Sequence, residues 1–155
     1  MIDARTGLRC PIDAHQIIER LWQGSFPEPG STLHRCGFDV LVLCAEELQP
    51  PSSLYHDLEV IHAGIDDGVV TPSLERTARR AAAQVIEALR AGKRVLVTCA
   101  QGRNRSGLVV GLALKELMDR DVVDFVQRRR PNALTNPYFA ELLRRRYVEW
   151  LSASP

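Results

Sequence analysis

Val95-Leu96-Val97-Thr98-Cys99-Ala100-Gln101-Gly102-Arg103-Asn104-Arg105-Ser106-Gly107 holds three structural signals in thirteen residues. A short apolar run with β-branched side chains, opened by Arg94 and bounded by Gly92, reads as a buried strand. A polar loop with Gly102 comes next, and glycine lets a backbone take conformations that other residues avoid. From Ser106 onward Leu108, Val109, Leu112, Ala113 and Leu117 recur at helical spacing. Strand, tight loop and helix succeed one another without a linker, which is the local unit of an α/β protein.

The same alternation extends along the chain. Phe38 to Cys44 is a compact apolar run that reads as a strand buried on both faces, and Leu58 to Ala63 as a weaker one. Leu21-Trp22-Gln23-Gly24 fits a short edge strand. Between the second and third clear strands, Thr71 can cap a helix, Pro72 suits its first position and Gly92 ends it. Its apolar stripe is Leu74, Ala78, Ala81, Val85, Ala88 and Leu89. A further helix covers Val122 to Arg130 and stops at Pro131. The last starts at Asn136-Pro137 and carries Tyr138, Leu142, Leu143, Tyr147, Trp150 and Leu151. The expected fold is α/β, a central, mostly parallel sheet of about four to five strands flanked by helices. The two Pro-rich stretches, 27–31 and 49–53, are too short for linkers, so residues 1–155 read as one domain.

Composition narrows the function classes. The chain has 155 residues, 45% apolar and 25% charged, with 20 basic and 19 acidic side chains. A net charge of +1 argues against a general nucleic-acid coat or a polybasic membrane binder. The charge is uneven, however. Residues 1–98 hold 10 basic and 13 acidic residues, and residues 99–155 hold 10 and 6. Met1 to Arg9 has no apolar core, so it does not read as a secretory signal, and no window resembles a membrane span. Cys10, Cys36, Cys44 and Cys99 contain no CxxC pair and are too sparse for a disulfide framework. The reading is four reduced thiols in a cytoplasmic protein. His15, His34, His56 and His62 lack metal-ligand spacing, so no metal or other cofactor is expected. The arginine runs 128–130 and 144–146 read as solvated helix faces.

Ligands of parallel sheets bind beyond the carboxyl ends of the strands, which directs attention to the loop after Thr98. A loop feeding a helix N-terminus can turn its N–H groups inward on a phosphate dianion, a task for Ala100, Gln101, Gly102, Arg103 and Asn104. Arg105 offers a planar fork that matches two phosphate oxygens. Cys99 stands under the same positive dipole, which favours its thiolate and lowers its pKa. A thiolate below a bound phosphate is a nucleophile for phosphoryl transfer, and Ser106 can donate to the sulfur when it leaves again.

Cys99-Ala100-Gln101-Gly102-Arg103-Asn104-Arg105-Ser106, with five residues between the cysteine and the arginine, resembles the CxxGxxRS signature of cysteine-dependent, dual-specificity-type protein phosphatases. Ile18 to Ser25 resembles that family's opening strand, Gly37 to Leu43 its second strand, and Arg128 to Phe139 its late arginine-rich segment. The resemblance implies a metal-independent phosphomonoesterase that works through a phosphocysteine on phosphotyrosine, phosphoserine or phosphothreonine. It implies a general acid about thirty residues before the cysteine. Asp66 and Asp67 stand there, 33 and 32 residues before Cys99, and the resemblance favours Asp67, because that family's loops often read Asp-Gly, as Asp67-Gly68 does. It also implies that Asn136 reaches toward the catalytic loop, although capping alone accounts for that residue.

Thr98 departs from the pattern, because the family usually has histidine before the cysteine. Cys44, in Leu43-Cys44-Ala45-Glu46, resembles the strand end where tensin-type phosphoinositide phosphatases carry a redox partner of the nucleophile. A disulfide with Cys99 is therefore one expectation and a buried structural thiol the other. Phosphoinositides or RNA 5′-phosphates are alternative substrates, since Gly102-Arg103-Asn104-Arg105-Ser106-Gly107 also resembles loops of phosphatases acting on RNA ends. A non-catalytic phospho-binding module is the alternative outside enzymes.

Overall fold

A computed structural model describes residues 10–145 of the chain. The expectations for Met1 to Arg9, and those for Arg146, Tyr147, Trp150 and Leu151, lie outside the described residues. Five strands form one sheet: β1 (Ala14–Ile18), β2 (Leu21–Ser25), β3 (Val40–Ala45), β4 (Glu59–Ile65) and β5 (Val95–Cys99), in the order β1-β2-β5-β3-β4. Only β1 and β2 pair antiparallel; β2–β5, β5–β3 and β3–β4 are parallel. The sheet is thus mixed and mostly parallel, with helices α1 (Thr32–Arg35), α2 (Pro72–Arg90), α3 (Arg105–Leu117), α4 (Val122–Arg129) and α5 (Pro137–Arg144) around it.

Every residue of β3 and β5 is buried, as continuous apolar runs in a covered parallel sheet should be. Alternate residues feed two cores. Val40, Val42, Cys44, Val95, Val97 and Cys99 pack on the side of α2–α5, while Leu41, Leu43 and Leu96 pack with Trp22, Leu33, Phe38 and Tyr55 on the other. The ends of α2 are set by its sequence. Thr71 Oγ1 accepts from Leu74 N at 3.1 Å, Pro72 opens the helix and Gly92 closes it at φ +78°.

Three expectations need correction. Leu21–Ser25 is an interior strand, not an edge: β1 covers its outer side and Arg20, at φ 66°, turns the hairpin between them. Even the polar Gln23 is fully buried there. The four thiols are not all reduced either, because Cys10 and Cys36 form a disulfide across a separation of 26 residues. Local spacing rules miss cysteines that only the tertiary fold brings together. Finally, Arg130 is not part of a solvated face. It lies one residue past α4, with extended backbone, and its side chain turns inward to 4% exposure.

Candidate active site

Cys99 is the last residue of β5, and the parallel register of β5 with its neighbours sets it at the carboxyl edge of the sheet. Its Sγ lies 3.3 Å from Ser106 Oγ, in the first turn of α3. The loop between them folds tightly. Gly102 sits at φ +69°, and a Cβ there would run into the Gly24 backbone and the Arg130 guanidinium. Conformation and close approach therefore both demand glycine.

The loop carbonyls are drawn to its outer side. Arg130 Nε donates to Gly102 O and its Nη2 to Gln101 O, both at 2.9 Å. The same guanidinium holds both oxygens of Asp13 at 2.9 Å, and these bonds keep the Asp13 carboxyl below the usual carboxylate range. Arg130 Nη1 also meets His15 Nδ1 at 2.9 Å. From β2, Gln23 Nε2 donates to Gly102 O at 3.1 Å and Arg103 O at 3.4 Å. Asn104 stands at the start of α3 but makes no side-chain cap, so its side chain leaves the first amides of that helix open.

A cavity of about 270 Å³ opens over this loop. Cys99, Ala100, Gln101, Arg103, Asn104 and Arg105 line it, together with Asp67 and Thr135. Gly102 does not line it; it lies beneath, against Gly24. Asp66 is exposed and lies outside the lining, so of the two carboxylates only Asp67 faces the same space as the cysteine. Two amides fix Asp67: Asn136 Nδ2 donates to its Oδ1 at 2.8 Å and Asn104 Nδ2 to its Oδ2 at 3.2 Å. Asn104 Oδ1 in turn accepts from Asn136 N at 2.9 Å. Asn136 Oδ1 caps α5 through Tyr138 N and Phe139 N, as expected, whereas toward the catalytic loop it gives its backbone N–H and not its side chain.

Arg105 is 8% exposed and faces a residue that the spacing did not single out. Glu47 accepts from its Nη1 at 2.6 Å and its Nη2 at 2.7 Å, and Ile65 O accepts from Nη1 at 3.3 Å. The Arg105 hydrogen bonds pull the Glu47 carboxyl down to about 2, and Glu47 raises the guanidinium further. The signal for Glu47 was an acidic residue just past the carboxyl end of β3, where the site also lies. Thr135 belongs to the late arginine-rich segment, and Gln23 is a polar side chain at the centre of a mostly apolar strand.

Cys44 is fully buried on the same face as Cys99, and burial, then the neighbouring Cys99, push its thiol well up. The β3–β5 ladder pairs Leu43 with Thr98, one step before these two cysteines. Thr98 Oγ1 donates to Val42 O at 3.0 Å, so the hydroxyl that replaces the family's histidine is engaged with the sheet and not with the loop. Among the described residues, no group of three or more His, Cys, Asp or Glu could hold a metal ion. No helix among them is long and apolar enough to cross a membrane.

No protein-family model matches the chain, and no curated protein matches it by sequence. Solved structures do. Human DUSP28 superposes with a TM-score of 0.74 at 26% identity, covering 92% of this chain and 97% of that one. Tk-PTP in its active form gives 0.69 at 26%, covering 84% and 93%. The human tyrosine phosphatase-like serine/threonine/tyrosine-interacting protein gives 0.72 at 20%, covering 92% and 99%.

Proposed function

We propose that this chain, which has the fold of the dual-specificity-type phosphatases of the protein tyrosine phosphatase superfamily, is a phosphomonoesterase with a cysteine nucleophile, acting on phosphotyrosine, phosphoserine or phosphothreonine in proteins. The observation that carries this reading is that Cys99, Arg105 and Asp67 line one cavity of about 270 Å³. The Cys99 thiolate attacks phosphorus as the bond to the leaving oxygen breaks, and Asp67 gives that oxygen its proton. Asp67, now a carboxylate, takes a proton from the water that attacks the phosphocysteine. The phosphorus–sulfur bond breaks and the thiolate is restored with the Ser106 hydroxyl beside it. Arg105, the loop amides and the start of α3 stabilise the phosphoryl oxygens, so the chemistry requires no metal.

Arg105 is arranged for that task. Its hydrogen bonds use both Nη1 hydrogens and one on Nη2. The Nε–H and the second Nη2–H form the other edge of the fork, which matches two phosphoryl oxygens. Glu47 thus holds the guanidinium from behind and leaves its working edge free.

Hydrolysis of p-nitrophenyl phosphate by the wild type and by Cys99→Ser tests the reading. Turnover that vanishes in the variant, with one phosphoryl group trapped on Cys99 in rapid-quench mass spectrometry, is the expected result. A wild type that binds vanadate without turnover is a phospho-binding module instead. A panel of phosphopeptides, phosphoinositides and RNA 5′-phosphates then ranks the substrate classes. A cytoplasmic location is likewise a proposal, and the Cys10–Cys36 disulfide makes the oxidation state of the protein in cells its measure.

A further inference from the structure

Gln23 is a polar side chain at the centre of a mostly apolar strand. Its register partner in β5 is Val97, two residues before Cys99, and it is fully buried. An apolar side chain would fill such a place without cost, whereas a buried amide must find partners. Gln23 finds them only on one side. Its two Nε2 hydrogens are shared among Gly102 O, Arg103 O and, at 3.2 Å, Ser106 Oγ. Its Oε1 has no hydrogen-bond partner among the described residues. The orientation is nevertheless fixed, because turning the amide over would set Oε1 against two carbonyl oxygens. Stability alone therefore does not account for a glutamine here.

The consequence falls on Ser106. A hydroxyl has one hydrogen to give and lone pairs to accept with. The Gln23 amide donates to Ser106 Oγ, so the hydroxyl hydrogen is left to point elsewhere. The other partner found at Ser106 Oγ is Cys99 Sγ at 3.3 Å. A cysteine thiol can donate to Ser106 Oγ, but once deprotonated its sulfur can only accept, and the chain of donors then runs from Gln23 through Ser106 to the sulfur. Thr98, engaged with Val42 O, supplies nothing to this chain.

We propose that Gln23 is a positioning residue: its amide commits the Ser106 hydroxyl to donate to the Cys99 sulfur, and with Arg130 it keeps the Gly102 and Arg103 carbonyls turned away from the phosphate side of the loop. The proposal rests on the phosphatase reading for its place in the reaction, but not for its first test. Peptide-resolved alkylation of Cys99 by iodoacetamide across pH reads the thiolate without any turnover. The proteins are the wild type, Gln23→Met, Ser106→Ala and the double variant, with thermal melts to establish folding. Gln23→Met keeps the volume and removes the donor. Alkylation at pH 6 is expected to fall roughly fivefold, with the whole profile moved to higher pH. Ser106→Ala should do the same, and the double variant should be no worse than Ser106→Ala alone. In single-turnover assays with p-nitrophenyl phosphate, Gln23→Met should slow breakdown of the phosphocysteine about tenfold while its formation changes less.

A folded Gln23→Met with the wild-type alkylation profile overturns the proposal, and so do effects of the two substitutions that multiply in the double variant. If Gln23→Met does not fold, Gln23→Leu takes its place; failure of both assigns Gln23 to the core and ends the proposal. A wild type without turnover whose alkylation profile still depends on Gln23 removes the phosphatase reading and retains the donor chain.

Discussion

Glu47 and Arg105 meet edge to edge, with both carboxylate oxygens on the two terminal nitrogens at 2.6 and 2.7 Å. The pair fixes the plane of the guanidinium, and the plane decides where the opposite edge points. Glu47→Gln keeps the shape but loses the charge and one acceptor. Such a variant should bind phosphate or vanadate about tenfold more weakly and lose a similar factor in kcat/KM, read by calorimetry and steady-state kinetics. The pair also has a pH signature. The carboxyl is held at about 2, below its unfolded value, so its stabilisation is complete above the ordinary glutamate range and disappears as pH falls toward 2. Wild type and Glu47→Gln should therefore differ in melting temperature at pH 6 and converge near pH 2. A difference that stays constant over that range contradicts the assignment. Glu47 is half exposed, so the gap at pH 6 should be small.

Asp67 and Asp66 are neighbours in sequence with different surroundings, and only Asp67 lines the cavity. Asp67→Asn should lower kcat about a hundredfold on a phosphate ester with a poor leaving group, because the acid works on the departing oxygen. The loss should shrink for p-nitrophenyl phosphate, whose phenolate leaves with less help. Asp66→Asn should stay within about twofold on both substrates. Equal losses in the two variants would show that the loop, not the Asp67 carboxyl, carries the effect.

Asn136 joins two functions that one substitution can separate. Its Oδ1 caps α5 and its Nδ2 holds Asp67. Asn136→Ala loses both and should cost about 1 kcal/mol of stability as well as activity. Asn136→Ser restores a cap acceptor but does not reach Asp67. Denaturant melts should recover most of the lost stability in the serine variant, while kcat stays about tenfold below wild type. Recovery of both together would mean that the cap alone is what the site needs.

The part of the site that is legible in the sequence is the part carried by contiguous residues. Cys99 through Ser106 and the helix after them succeed one another along the chain, so spacing alone places them. The buried runs of β3 and β5 are equally legible, since a covered parallel strand is apolar on both faces. The residues that escape such a reading lie across the sheet. Glu47 meets Arg105 58 residues away, Arg130 meets Gln101 29 residues away, and Gln23 meets Ser106 across 83. Each is a polar residue whose partner is distant in sequence, and only tertiary packing brings the two together. Leu21-Trp22-Gln23-Gly24 reads as an edge strand because nothing in its own residues shows that β1 covers its outer side.

The Cys10–Cys36 disulfide ties the first described residue to the end of α1 and closes a loop whose ends are 26 residues apart. Chain-entropy arguments give such a crosslink about 3.5 kcal/mol. The Cys10→Ser/Cys36→Ser variant should therefore unfold at lower denaturant, and dithiothreitol should shift the wild type but not the variant. Thiol counting on protein denatured directly from cells reads the compartment. Two reactive thiols indicate the oxidised form and four a reducing environment. A wild type that reductant leaves unmoved would show that the crosslink contributes nothing to the fold.

Cys44 and Cys99 stand at the ends of adjacent parallel strands, on the same face, one step beyond the last ladder pair. Residues at such places in neighbouring strands are close enough for a disulfide. Peroxide would oxidise the Cys99 thiolate to a sulfenic acid, and the Cys44 sulfur would displace water from it to form the bond. Burial holds the Cys44 thiol well above the usual range, so its thiolate is scarce and the second step should be slow. The wild type treated with peroxide should therefore yield a Cys44–Cys99 linked peptide over minutes, and dithiothreitol should restore activity. In Cys44→Ser the same exposure should drive Cys99 on to sulfinic and sulfonic acid, with recovery reduced about tenfold. Non-reducing mass spectrometry that finds sulfonic acid at Cys99 and no linked peptide in the wild type assigns Cys44 to the core alone.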